Sequence, residues 1–113
     1  MSYSSNLELY DKVVGLHSYI QRKGKTMPYT SVNGHMFSIM DKEGNLGLRF
    51  SKTDREEFIQ KFKSQLMVQY GVVMKEYVMI PHKLLKDTSE LYKYLQLSFE
   101  YASSLKPKTT KSK

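Results

Sequence analysis

The chain has 113 residues, 40% of them hydrophobic, which is enough for one buried core and too few for two domains. It has no cysteine, which excludes disulfides, thiolate nucleophiles and cysteine-based zinc sites; no apolar run near the N-terminus has the length of a signal peptide or membrane span, so a cytoplasmic protein is expected. The formal net charge is +7, from 18 Lys and Arg against 11 Asp and Glu, but Lys106, Lys108, Lys111 and Lys113 crowd the end, and without them fourteen basic residues face eleven acidic ones.

The first predicted helix starts at Ser5, whose hydroxyl can cap it while Glu8, three residues on, completes a capping box. Leu9, Tyr10, Val13, Val14, His17 and Ile20 recur at helical spacing and predict one buried face, with the helix ending near Arg22, before Gly24. A lone histidine such as His17 on or beside an apolar face reads as a packed, hydrogen-bonded residue.

From Thr26 to Phe50 the hydrophobic period changes to two. Asn33-Gly34 is the preferred two-residue hairpin turn, because both positions must tolerate positive φ. It joins strands Tyr29–Val32 and His35–Met40, and the polar residues Asp41 to Asn45 turn the chain into a third strand, Leu46–Phe50. A second helix follows, capped by Ser51 or Thr53. Its acidic residues Asp54, Glu56 and Glu57 lie near the positive end of the dipole, and Lys61 and Lys63 near the negative end.

Leu66–Tyr70 and Met74–Ile80 read as a hairpin around Gly71. Pro81 stops the second strand and opens a helical turn from His82 to Leu85. The last helix starts at Asp87, with Glu90 as its capping-box partner, and runs to about Leu105. Leu91, Tyr94, Leu95, Ser98, Phe99 and Ala102 form its buried stripe. Residues 106–113 contain Pro107, Thr109, Thr110 and Ser112 beside the four lysines, with nothing to bury, and are expected to be a basic disordered tail after a single domain at 1–105.

The fold expected is α+β: an antiparallel sheet of about five strands, meander plus hairpin, with an N-terminal, a middle and a long C-terminal helix packed on it. The ordered set Val32-Asn33-Gly34, Leu48-Arg49-Phe50, Asp54 to Phe58, Gly71-Val72-Val73-Met74-Lys75-Glu76-Tyr77-Val78, Ile80-Pro81 and Leu105-Lys106-Pro107-Lys108 resembles the N-terminal domain of the TfoX/Sxy competence-regulator group, which also occurs as a short stand-alone protein. Two departures stand out: Thr26 to Ser31 where many relatives carry Met-Phe-Gly-Gly, and Glu76 where a glycine is usual. In the regulators this domain precedes a C-terminal helical domain, and the present sequence stops before any such region. The resemblance therefore implies fold more than a role in competence or transcription in bacteria.

Chemistry is sparse. His17, His35 and His82 are the only histidines, no two share an i, i+4 spacing, and no His-Glu-x-x-His, phosphate loop or nucleophile elbow occurs. No catalytic residue, cofactor or metal is expected. The leading expectation is a non-enzymatic binding or adaptor domain that meets a protein partner or a second copy of itself, away from membranes. Its candidate partner or anion surface is Arg49 and Lys75, on positions matching the family, with His35. An ion pair of the sheet surface with Glu76 is the plainer use of the two cations. The alternative is a nucleic-acid-binding regulator using Arg22, Lys23, Lys25, Lys106, Lys108, Lys111 and Lys113. Four tail lysines on phosphates would give a slope of log affinity against log salt of about −3.6. An enzyme would need Arg49, His35 and a carboxylate to converge in one pocket.

Overall fold

A computed structural model of the chain describes residues 3–107. In chain order the elements are α1 (Tyr3–Val14), β1 (Tyr29–Val32), β2 (His35–Met40), β3 (Leu46–Arg49), α2 (Lys52–Phe62), β4 (Leu66–Gln69), β5 (Val72–Met79), α3 (His82–Leu85) and α4 (Thr88–Ser104). The five strands form one antiparallel sheet in the order β1-β2-β3-β5-β4. This is the α+β architecture expected from the pattern.

Local chemistry sets most of the boundaries. Asn33 (φ 56°) and Gly34 (φ 80°) both adopt the left-handed region that a tight hairpin turn requires. The Ser51 hydroxyl accepts the Asp54 N–H and starts α2, which ends where Lys63 turns left-handed. The Asp87 carboxylate accepts the Glu90 N–H at 3.3 Å and starts α4. Several expected boundaries shift, β3 and β5 each ending one residue early, at Arg49 and Met79. Helix α1 begins at Tyr3, two residues before the expected cap, and stops at Val14 instead of reaching Arg22. The Leu16 and His17 amides bond three residues back, to Val13 and Val14, so the last turn tightens and the chain leaves the helix at Gly15. Strand β4 ends at Gln69 and β5 starts at Val72, because Tyr70 and Gly71 form the turn.

One face of the sheet carries the helices: α4 lies against β1, β2 and β3, α1 and α3 against α4, and α2 against β5. Between them sits the main core, in which Tyr10, Val13, Phe37, Met40, Leu46, Leu48, Phe50, Val78, Leu91 and Leu95 are fully or almost fully buried. A bulge adapts β2 to this core. Thr30 pairs with Ser38 but Ser31 pairs with Met36, which leaves Phe37 as the extra residue. Phe37 and Ser38 therefore both turn toward the helices. Phe37 meets the Phe99 ring, and the Ser38 hydroxyl lies 2.5 Å from both the Tyr10 and the Thr30 hydroxyl. The Ser98 hydroxyl of α4 sits between two main-chain carbonyls, 2.9 Å from Phe37 O at the bulge and 2.6 Å from Arg49 O at the end of β3.

The opposite face is covered by the β4–β5 hairpin. Pairing of β5 with β4 slips by several residues between Leu66–Val78 and Met67–Met74, and the stretch Lys75 to Tyr77 is left without β4 partners. The sheet curls there, bringing β4 across the far face of β3. Met67 then lies over Gly47, where even a methyl group would come within 2.2 Å of its sulfur, and Gln69 Nε2 sits 3.6 Å from Met27 Sδ. The result is a second, methionine-rich core of Ile39, Met67 and Tyr77 with Met27, Tyr29, Met36, Met74 and Met79 packed around it.

Candidate functional site

Arg49 and Glu76 meet although the β3–β5 ladder sets Arg49 opposite Tyr77, so the long guanidinium side chain has to reach past its own cross-strand neighbour. Arg49 Nε donates to Glu76 Oε1 at 2.6 Å, and a terminal nitrogen donates to the Met36 carbonyl at 3.3 Å. Its guanidinium also stands 5.8 Å from the centre of the Tyr101 ring, while the Tyr101 hydroxyl donates to Glu76 Oε2 at 3.1 Å. Burial alone would raise the Glu76 carboxyl. The Arg49 hydrogen bond and charge, with the Tyr101 hydroxyl, outweigh it and hold the carboxyl below its ordinary value. The Tyr77 hydroxyl donates to the same Met36 carbonyl at 2.7 Å, and burial pushes its phenol up to about 12. The cluster cross-links β2, β3, β5 and α4, and its cation is already spent on an internal partner.

Lys75 and His35 do not join it. Lys75 is exposed on the slipped stretch of β5. His35 Nε2 lies 2.8 Å from the Lys106 carbonyl, and Asn33 Nδ2 donates to the Ser103 carbonyl at 3.1 Å. These two contacts strap the end of α4 onto the β1–β2 turn. Arg49, His35 and a carboxylate thus fail to converge, and among the described residues no group of three or more His, Cys, Asp or Glu is placed to hold a metal ion. No helix there is long and apolar enough to cross a membrane.

The basic candidates are scattered as well. Arg22 pairs with Asp11 and reaches the Gly24 carbonyl at 3.4 Å. The Lys23 backbone bridges Tyr29, with exposed side chains at Lys23 and Lys25. Lys106 is exposed at the strap; Lys108, Lys111 and Lys113 lie outside the described residues. His17, in the loop after α1, packs its ring 4.6 Å from that of Phe99 and accepts the Tyr19 N–H.

The surface that stands out is one the alternation pattern did not single out. Val68, Tyr70, Val72 and Val73, at the tip of the β4–β5 hairpin, are 49%, 77%, 65% and 48% exposed. Tyr70 holds a left-handed conformation (φ 54°), an uncommon one for an aromatic residue, and so projects from the turn. A cleft of about 190 Å³ runs beside the tip, between it and the Met27 and Asp41–Glu43 segments. Period two predicts the strands but says nothing about which face meets water. The available signal was the absence of charge from Gln65 to Met74. No protein-family model, curated protein or solved structure matches the chain.

Proposed function

We propose that this chain is a non-enzymatic protein-binding module, of the kind the TfoX/Sxy-like motifs imply, and that it binds through the tip of the β4–β5 hairpin. The observation that carries this reading is the cluster of four large apolar side chains exposed on one hairpin. Such a patch is costly to leave in water and marks an interaction surface. Three of the polar candidates support it by being otherwise engaged, with Arg49 on Glu76, His35 on the Lys106 carbonyl and Arg22 on Asp11.

Replacing Tyr70 with the photo-crosslinker benzoylphenylalanine tests the reading. Irradiation in cells should give discrete protein adducts from position 70. The same group at Gln60, on the exposed face of α2, should give none. Equal labelling at both positions, or no adduct at position 70, would defeat the proposal.

A further inference from the structure

We infer that the hairpin's partner is a second copy of this chain, added across a two-fold axis so that the β4 strands pair edge to edge. The inference rests on the binding reading above and names its partner. The main chain supplies the first argument. Tyr70 and Gly71, both at positive φ, make a two-residue turn closed by the Gln69–Val72 pair. Residues in an antiparallel ladder alternate between bonding inward and outward, so the N–H and C=O of Val68 point away from β5. No other strand pairs with β4 among the described residues. At the other edge of the sheet, β1 is partly covered, because Lys23 and Tyr29 exchange both backbone bonds at 2.8 and 2.9 Å.

The side chains supply the second argument. An uncharged, apolar edge lacking proline or lysine is what monomeric sheets avoid. Centring the axis on Val68 lets it exchange two backbone bonds with the partner's Val68 and sets Leu66 opposite the partner's Tyr70. Val73, paired with Val68 in the hairpin, extends the same face. Charge selects a copy over an acidic or basic partner. The chain carries +7, so two copies repel wherever their lysines meet, yet the ten residues from Gln65 to Met74 carry no charge at all.

Area is the third argument. The four exposed side chains present on the order of 400 Å² per copy. Val72 and Val73 sit on β5, one strand in from the paired edge, so the interface stays at or below about 1,000 Å², the lower bound of a specific interface, which predicts micromolar or weaker dissociation.

Sedimentation velocity of the full chain across roughly 5–300 µM tests this. The wild type should pass from monomer to dimer and stop there. Val68→Lys, which sets two lysines face to face, and Tyr70→Asn, which keeps a residue tolerant of positive φ, should each weaken the dimer at least tenfold. Leu16→Lys, on a distant exposed loop, should not, and thermal melts should show all three variants folded. A wild type that stays monomeric, a dimer that both hairpin variants leave intact, or association continuing beyond two copies would overturn the inference. A monomer that still forms position-70 adducts with other proteins would sink the second copy and leave the binding reading standing. Absence of any adduct would sink that reading itself.

Discussion

Gly47→Ala isolates the claim that the hairpin folds over the far face of the sheet. Gly47 has no positive φ to protect, so on an open strand the substitution would stabilise by about 0.4–1 kcal/mol through the unfolded chain. Here the new methyl would sit 2.2 Å from the Met67 sulfur, and Met67 is fully buried and can move only by disturbing Ile39 and Tyr77. Overpacking of this kind costs about 1–3 kcal/mol. The thioether gives more readily than a ring, so the middle of that range, about 2 kcal/mol, applies, and after the unfolded-chain gain the net loss should be about 1 kcal/mol, or roughly 5 °C in Tm. Met67→Ala alone should cost about 2–4 kcal/mol by leaving a cavity. In that background Gly47→Ala should become neutral or stabilising, a coupling of about 1–2 kcal/mol. Urea unfolding of the four proteins measures the cycle. A stabilised Gly47→Ala, or the same loss in both backgrounds, would refute the placement of Met67 over β3.

Three further outcomes follow from the polar contacts. Ser98→Ala should cost about 1–3 kcal/mol, because it leaves the Phe37 and Arg49 carbonyls short of their donor; urea midpoints read this directly. Glu76 has a folded pKa below its ordinary 4.5, so its stabilisation is complete above that pH and is lost as pH falls through the lowered value. Glu76→Gln should flatten that part of the acid limb in pH-dependent melts. Tyr77 titrates near 12 instead of 10.0, so stability should be intact below pH 10 and decline between the two values. Burial raises the Tyr10 phenol too, against the pull of Ser38 and Thr30. Absorbance at high pH should accordingly show some phenols ionising only as the protein unfolds.

Much of this fold was legible because short-range chemistry decides it. The Asn33-Gly34 turn, the Ser51 and Asp87 caps and the Leu91, Leu95, Ser98, Ala102 stripe each follow from a few neighbouring residues, and each stands where the pattern put it. The Arg49–Glu76 pair was legible only as a match of charges, because the register sets Arg49 opposite Tyr77 and the reach of the guanidinium closes the contact. The end of α1 was not. Val13, Val14, His17 and Ile20 keep helical spacing across Gly15, and only the packing of His17 on Phe99 and the burial of Ile20 reward leaving the helix. The β2 bulge and the β5 slip were equally hidden, because each adds residues to one strand and reverses the sense of every alternation beyond it. Those irregularities create the second core and push Val68, Tyr70, Val72 and Val73 into solvent, so the candidate binding surface depends on the least local features of the chain.

The most direct test of the hairpin as the working surface is residue-resolved amide hydrogen exchange, followed by NMR as protein concentration rises. The Val68 amide should gain protection, with shifts confined to residues 66–73, while Lys23, Lys25 and the Arg49 cluster stay unchanged. A Val68 amide that exchanges equally fast at every concentration, or protection that develops around Lys23 and Lys25 instead, would contradict it.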